Sequence, residues 1–261
     1  MKTPNSMSNN SNVIAVIPAR WGSSRFPGKP VAEIAGVPMI VRVYRRVCEV
    51  PSISRAIVAT DDVRIADVLR AHGIDDVVMT PPECPNGTVR CRAALESLGL
   101  RPDVIVNVQG DEPMVSTDTL AALVDAMLSP SRPAIATTAH PFAGSYAELA
   151  NPSRVKVVTD EAGMALLFSR AVIPFQRDAA PEEWPSRHRY LIHQGLYAFR
   201  FDTFMSLPVE MSPLARLESL EQLSWLDAGI DIRVVETQQS PYPSVDNPED
   251  VRKIEELLVS K

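Results

Sequence analysis

The feature that most constrains the fold is the regular alternation of short apolar runs with helical patterns through the first half of the chain. The apolar runs predict strands at 13–17, 55–60, 77–79 and 104–108. Helices are predicted between and after them, at 38–49, 63–71, 90–98 and 117–127. Repeated strand–helix units of this length indicate an α/β fold, in which a mostly parallel central sheet carries helices on both faces.

The loops that follow these strands predict where a ligand binds. In a doubly wound sheet, ligands lie beyond the carboxyl ends of the strands, where the strand order switches. The loops at that edge are 18–30, 60–62, 80–88 and 109–113. We therefore expect one site that is assembled from four separate places in the chain.

The second half of the chain has a different pattern. Two strand-like segments, 155–159 and 164–168, flank the turn sequence DEAG and predict a hairpin. After a polar loop at 174–189, a further strand is predicted at 191–199, so that a small antiparallel annex over about 151–200 extends the sheet. The remaining elements are predicted as a helix at 213–226, a strand at 230–236 and a helix at 248–259.

Length and composition favour one folded enzyme-sized domain. The chain has 261 residues, 45% hydrophobic and 22% charged, which is ordinary for a globular protein. We expect a single domain over 12–261 after a disordered tail at 1–11. A net charge of −6 argues against non-specific binding to nucleic acid.

The location of the protein is predicted from what the sequence does not contain. No apolar run approaches the ~20 residues of a membrane helix, and the start has no signal-peptide core. The three cysteines follow no metal-binding spacing and are expected to be reduced thiols. These features predict a cytoplasmic protein with no membrane insertion.

The loop at 18–30, which directly follows the first strand, is dense in groups that bind anions. Its cations, hydroxyls and glycines are Arg20, Arg25, Lys29, Ser23, Ser24, Gly22 and Gly28. Glycines let the backbone approach phosphate oxygens, and the cations and hydroxyls can surround them. A Walker-type loop is not indicated, because Pro30 stands where that loop has its magnesium-binding Ser or Thr. The alternative is a surface loop with incidental charge.

Two carboxylates are candidates for a divalent metal ion. Asp111 follows the strand at 104–108 and a glycine, and Asp246 stands before the last predicted helix. Two acidic ligands together with phosphate oxygens suit Mg²⁺, which prefers oxygen donors and keeps some of its waters. Alternatively, Asp111 forms a turn, and Asp246 or Asn247 caps the helix that begins with Pro248.

The 18–30 loop, PARWGSSRFPGKP, resembles the PAR-x-x-S-x-R-x-PGKP signature of the 3-deoxy-manno-octulosonate (Kdo) cytidylyltransferases, also called CMP-Kdo synthetases. Other motifs of that family follow in the same order: QGDEP at 109–113, FSR at 168–170, H-x-G-x-Y at 193–197, LEQL at 220–223 and VDNPED at 245–250. The resemblance covers about residues 13–258. It implies a Rossmann-like nucleotidyltransferase fold and transfer of CMP from CTP to the anomeric hydroxyl of an eight-carbon acidic sugar, with release of pyrophosphate.

The resemblance also implies roles for individual residues of the nucleotide and metal sites. Arg20 and Lys29 hold the triphosphate with help from Ser23 and Arg25, and Arg20, Lys29 and Asp111 are the catalytic residues. Asp111 and Asp246 hold Mg²⁺ between CTP and the sugar. The cytosine is framed by Pro18, Ala19, Gly87 and Thr88.

The sugar is an anion with many hydroxyls, so its pocket needs a cation and several polar groups. The family positions for it are Arg90, Gln109, Arg170, His193, Tyr197, Glu221 and Gln222. His193 and Tyr197 fall on the same face of one strand, so they can converge on one ligand. Structural alternatives remain open for several of them: a hydrogen-bonded core histidine for His193, a surface ion pair for Arg170 and a solvated helix face for Glu221.

The chain departs from the family pattern in one segment. The family usually has H-x-S-G-T-[DE]-R followed by Ala-Glu, whereas residues 84–93 read CPNGTVRCRA. A second departure is Ala215, where a glutamate is expected before the sugar-site helix. Because the altered segment borders both the base and the sugar, a related ulosonic or nonulosonic acid is an alternative acceptor.

Two other classes of function stay open at this stage. One is a nucleotidyltransferase that uses a different nucleotide, or that uses a sugar phosphate as the acceptor. The annex offers no lysine-rich cluster to bind the phosphate of such an acceptor. The other is a nucleotide-binding subunit without catalytic activity. The resemblance further implies a homodimer and a product that feeds lipopolysaccharide or capsule assembly.

Overall fold

A computed structural model describes residues 11–22, 25–238 and 243–259. Of the predicted disordered tail, residues 1–10 lie outside the described residues. The strands are β1 Val13–Ala19, β2 Glu33–Ile34, β3 Val37–Pro38, β4 Arg55–Thr60, β5 Val77–Met79, β6 Val104–Asn107, β7 Ile135–Pro141, β8 Lys156–Thr159, β9 Ala165–Ser169, β10 Leu191–Arg200 and β11 Ile232–Glu236.

The helices alternate with these strands in the first half and cluster in the second. They are α1 Met39–Cys48, α2 Val63–Ala71, α3 Gly87–Leu98, α4 Thr117–Leu128, α5 Tyr146–Leu149, α6 Trp184–Arg187, α7 Phe201–Ser206, α8 Pro213–Glu218, α9 Gln222–Asp227 and α10 Pro248–Val259. Short 3₁₀ turns cover Lys29–Val31 and Pro181–Glu183. None of the helices in the described part of the chain is long and apolar enough to cross a membrane.

The central sheet has the strand order β11-β7-β10-β6-β1-β4-β5. The pairings of β6, β1, β4 and β5 are parallel, and so is the pairing of β11 with β7. Strand β10 is antiparallel to both of its neighbours, β6 and β7, so it alone runs against the others along this path. The predicted mostly parallel α/β sheet is therefore confirmed, and β2 and β3 form a separate antiparallel pair.

The predicted hairpin is present as β8 and β9, which pair antiparallel, and β8 also pairs with β10. Strand β10 joins the sheet by antiparallel pairing as predicted, and its position is between β6 and β7. Strand β7 carries no apolar run that predicts it, since its buried residues include Thr137, Thr138 and His140. Hydrogen bonds across to β10 satisfy both threonines.

The helix predicted over 213–226 is wrong as a single element. Residues Pro213–Glu218 and Gln222–Asp227 form separate helices, because Ser219 has a φ of 52° that ends the first one. The last helix begins at Pro248 as predicted. The side chain of Asn247 accepts hydrogen bonds from the backbone N–H groups of Glu249 and Asp250 at its start.

Two apolar layers cover the sheet, one on each face. On one face, α1, α2 and α4 pack side chains such as Val43, Leu69 and Leu123 against β1 and β6. On the other face, α3, α7 and α9 contribute Leu95, Phe204 and other buried residues. The sequence patterns of the first half predict this arrangement, because each strand there is apolar on both sides.

A small third apolar cluster positions α10 and the residues before it. Ile254 of α10 is fully buried against Ile34, Met39, Met114 and Val245. This packing holds the residues just before α10 against the carboxyl end of the sheet. It thereby places Asp246 beside the loops that follow β1 and β6.

Candidate functional site

A cavity of about 360 Å³ opens at the carboxyl edge of the sheet, where β1 lies between β4 and β6 and the strand order switches. Three of the four loops predicted for this edge, together with the segment before α10, supply its walls. Of the predicted site residues, the cavity is lined by Pro18, Ala19, Arg20, Arg25, Lys29, Gly87, Arg90, Gln109, Asp111 and Asp246. The structure therefore brings most of the predicted nucleotide and metal residues together; Thr88 lies outside this lining, and Ser23 lies outside the described residues.

Close contact between two loops forms the floor of this cavity. A Cβ atom on Gly110 would lie 2.7 Å from the backbone oxygen of Pro18, so no larger residue fits at this position without moving the backbone. Residues after β6 can therefore lie directly against the end of β1. This approach places Asp111 within reach of the 18–30 loop.

Cations and carboxylates face each other across the cavity. The Lys29 Nζ atom lies 2.7 Å from Oδ2 of Asp111 and 2.8 Å from the carbonyl oxygen of Val245. The Arg25 Nη2 atom lies 2.9 Å from Oδ1 of Asp246. The side chains of Lys29 and Asp111 are only 15% and 31% exposed, whereas the Arg25–Asp246 pair is largely solvated. Each predicted metal ligand is thus paired with a predicted phosphate-binding cation.

The start of α3 forms the opposite wall. The side chain of Asn86 caps this helix by accepting a hydrogen bond from the N–H of Val89, and Asn86, Cys84 and Pro85 also line the cavity. The side chain of Thr88, which was predicted to frame the base, is directed away from it. Its hydroxyl donates to Glu221 Oε1 at 2.9 Å, and both residues line a separate narrow recess beneath α3.

The predicted sugar residues do not converge on one open cavity. Arg90 and Gln109 line the 360 Å³ cavity, and Glu221 lines the narrow recess. Burial raises the pKa of Glu221, although the hydrogen bond from Thr88 favours its charged form. Tyr197 is buried, and burial raises the pKa of its phenol.

His193 and Tyr197 lie near each other on β10, as predicted. Their ring centroids are 5.5 Å apart, and the His193 ring also packs edge-on against Phe168. Burial lowers the pKa of His193 to about 3, and its Nε2 atom is hydrogen-bonded to the Thr137 hydroxyl. His193 also lines a second cavity of about 410 Å³, together with Glu112.

Arg170 lies outside the lining of these cavities. Its Nε atom donates to the carbonyl oxygen of Glu218 at 2.6 Å, and its Nη1 atom donates to that of Pro152 at 2.9 Å. Its backbone N–H donates to the Glu218 carboxylate. In this structure, Arg170 therefore connects the end of β9 to the end of α8.

Gln222 is 2% exposed, and its Nε2 atom has no hydrogen-bond partner. Asn107, at the end of β6, is fully buried, and both polar atoms of its amide lack a partner. A buried unpaired polar atom typically costs about 1–3 kcal/mol, so native proteins contain few of them. The sequence reasoning assigned no role to Asn107, because it falls within an apolar strand.

Sequence reasoning also missed Asp61, the first residue after β4. Its carboxylate accepts hydrogen bonds from the backbone N–H of Trp21 at 3.2 Å and from Nη2 of Arg90 at 2.9 Å. The available signal was its position, because an acidic residue directly after a parallel strand lies at the ligand-binding edge.

The chain is similar to known proteins over most of its length. Residues 14–239 match the family described as Cytidylyltransferase. The chain is 46% identical over 249 residues to the 3-deoxy-manno-octulosonate cytidylyltransferase of Porphyromonas gingivalis, covering 94% of this chain and 95% of the relative. It is 43% identical over 256 residues to 3-deoxy-manno-octulosonate cytidylyltransferase 2 of Paraburkholderia phytofirmans, covering 97% and 96%.

A solved structure of CMP:2-keto-3-deoxy-manno-octonic acid synthetase in complex with CTP superimposes with a TM-score of 0.87 at 38% identity. The superposition covers 96% of this chain and 99% of that one. The fold is therefore that of a nucleotidyltransferase, and the resemblance carried by the motifs is confirmed at the level of the family. The chain belongs to the 3-deoxy-manno-octulosonate cytidylyltransferase family.

Proposed function

We propose that this protein transfers CMP from CTP to the anomeric hydroxyl of 3-deoxy-D-manno-octulosonate (Kdo) and releases pyrophosphate. The observation that carries this proposal is the pairing of Lys29 with Asp111 and of Arg25 with Asp246 in one cavity. When a triphosphate and a divalent metal ion bind, the phosphate oxygens can take the place of the carboxylates beside Lys29 and Arg25. The carboxylates are then available to the metal ion, so charged groups for both ligands are already present in the cavity.

The residues present fit a magnesium ion. Asp111 and Asp246 supply oxygen donors in the same cavity and would hold Mg²⁺, which prefers oxygen ligands and keeps several waters. The ion would neutralise charge on the phosphate oxygens and polarise the α-phosphate. Asp111 lies near Lys29, so it would hold the ion on the side of the cavity where we place the phosphates.

The chain's own residues would act mainly by positioning and by electrostatic stabilisation. Arg20 and Lys29 would hold the phosphate oxygens and stabilise the negative charge that moves to the pyrophosphate. The sugar oxygen forms a bond to the α-phosphorus, and the bond between that phosphorus and the bridging oxygen breaks. The hydroxyl proton leaves to solvent, and the transition state has the entering and leaving oxygens in line.

Acceptor binding would use the polar groups beneath α3. Gln109 lies at the cavity and Glu221 lines the narrow recess, whereas Tyr197 and Gln222 are buried. Polar side chains that lack partners in the core, such as the Gln222 amide, are suited to pairing with sugar hydroxyls. The wider context that we propose is a cytoplasmic homodimer whose product feeds lipopolysaccharide or capsule assembly.

The experiment that tests this proposal measures pyrophosphate release from CTP and Mg²⁺ with Kdo, beside related ulosonic and nonulosonic acids and the other three nucleoside triphosphates. Release with CTP and Kdo alone is expected. Release only with another acidic sugar would make the 84–93 segment a determinant of the acceptor. Nucleotide binding without release from any sugar would favour the non-catalytic subunit.

A further inference from the structure

Asp61 is hydrogen-bonded to residues on two sides of the cavity of about 360 Å³, the proposed nucleotide cavity. One of its carboxylate oxygens accepts the backbone N–H of Trp21 at 3.2 Å, and the other accepts Nη2 of Arg90 at 2.9 Å. Trp21 lies in the 18–30 loop (the phosphate loop), and Arg90 lies in the first turn of α3. The side chains of Asp61 and Arg90 are only 13% and 3% exposed, so this ion pair is largely removed from solvent.

On the phosphate-loop side, Trp21 brings the two ends of the loop together. Its carbonyl oxygen accepts the N–H of Gly28 at 3.1 Å, and a Cβ atom on Gly28 would lie 3.1 Å from the indole ring. Gly28 has a φ of 71°, which glycine adopts without strain. Arg64, which lies on α2, places its guanidinium carbon 3.5 Å from the centroid of the Trp21 indole. The contacts at Trp21 therefore help to position Gly28, the residue before Lys29.

On the α3 side, Arg90 donates to three groups. Its Nη1 atom donates to the Thr80 hydroxyl at 2.7 Å and to the carbonyl oxygen of Pro81 at 3.4 Å, and its Nη2 atom donates to Asp61. Asp61 and Thr80 follow neighbouring strands, β4 and β5. Both contacts orient the first turn of α3, whose Gly87 lines the cavity. Only the Asp61 contact also reaches the phosphate loop.

We propose that Asp61 is a positioning residue for the nucleotide. Its carboxylate holds the phosphate loop and the start of α3 at the separation that a bound nucleoside triphosphate spans. Asp61 does not line the cavity, so it acts through Trp21 and Arg90 and does not itself contact the ligand. The identity of the nucleotide rests on the proposed function, but the separation of the walls does not.

The test compares Asp61→Asn with Thr80→Val in the full chain. An asparagine keeps the shape of the side chain but presents an NH₂ group to one of two donors, so one of the two walls loses its contact. Thr80→Val removes a hydrogen bond from the same arginine and leaves the loop contact in place. We expect Asp61→Asn to weaken CTP binding, measured by calorimetry, by about tenfold or more, and Thr80→Val to weaken it by about threefold or less.

Fluorescence of Trp21 gives a readout that a general loss of stability does not move. The chain has three tryptophans, and Trp184 and Trp225 are only 3% and 2% exposed in the core. The difference between the spectra with and without Trp21→Phe isolates the Trp21 signal. We expect this signal to shift in folded Asp61→Asn and to stay unchanged in Thr80→Val.

Equal losses of CTP affinity in the two variants at equal melting temperatures, with an unchanged Trp21 signal, would overturn the proposal. If the wild type binds a nucleotide other than CTP, the proposed function fails. The same comparison then uses that nucleotide and tests Asp61 independently.

Discussion

The residues assigned to the nucleotide and those assigned to the acceptor have contrasting surroundings. The nucleotide residues line an open cavity in which Lys29 pairs with Asp111 and Arg25 pairs with Asp246. The acceptor residues Tyr197 and Gln222 are instead buried beside the core. Charges that bind a triphosphate must stay near solvent because burying them is costly, whereas neutral polar groups for a sugar tolerate burial better.

The largest effect is expected at the carboxylate of Asp111. The substitution Asp111→Asn should lower turnover by about 100- to 1000-fold, because the oxygen donor set that we propose for Mg²⁺ would lose a negative charge. The measurement is pyrophosphate release at saturating CTP. Asp178→Asn is the matched control, since that side chain is 95% exposed and lies outside the cavity lining. Equal activity of the two variants would remove Asp111 from the catalytic residues.

A smaller effect should separate the two cations of the cavity. Lys29→Met should lower kcat/KM for CTP by about 100-fold, because the proposed function places the phosphates beside its ammonium, which is only partly solvated. Arg25→Met should lower it by about fivefold, because the Arg25 side chain is 67% exposed and screened by water. Steady-state kinetics with varied CTP would make this distinction. The reverse order would mean that Arg25 carries the phosphate contact.

The acceptor side can be tested by separating stability from binding at Gln222. Gln222→Met removes a buried amide nitrogen that has no partner, so the melting temperature should stay the same or rise. The KM for the acceptor sugar should nevertheless increase by about tenfold, with an unchanged dissociation constant for CTP. A lower melting temperature with an unchanged sugar KM would show that Gln222 only fills the core.

The pH dependence of the free energy of unfolding gives a separate test at His193. Burial lowers its pKa to about 3 from 6.5, so the unfolded chain binds the proton more readily between these values. The contribution of neutral His193 to the free energy of unfolding is therefore fully present above pH 6.5. It is lost as the pH falls below 6.5, with a slope of up to about 1.4 kcal/mol per pH unit.

His193→Asn should therefore flatten the acid side of the stability curve, as measured by urea unfolding at several pH values. The comparison concerns the slope alone, since the variant also loses the contact with Thr137. An unchanged slope would show that His193 titrates normally in the folded protein.

Much of the site could be predicted because its residues follow strands whose apolar pattern is clear in the sequence. Lys29 and Asp111 lie in loops directly after β1 and β6, and parallel pairing brings those loops to one edge. The hydrogen-bond partner of Arg90 was harder to predict from the sequence. Its partner Asp61 lies 29 residues away, and a sequence pattern does not show which of several nearby groups an arginine will choose.

Local periodicity and residue types at fixed spacings were enough to predict the α/β class, the cation-rich loop at 18–30 and the order of the family motifs. In contrast, long-range packing places β10 between β6 and β7, and the packing of Ile254 holds α10 so that Asp246 faces Arg25. Long-range packing also places Arg170 where it donates to backbone carbonyl groups outside the cavity lining. The physical reason is that these outcomes come from competition among distant partners for burial and hydrogen bonds, which no single segment encodes.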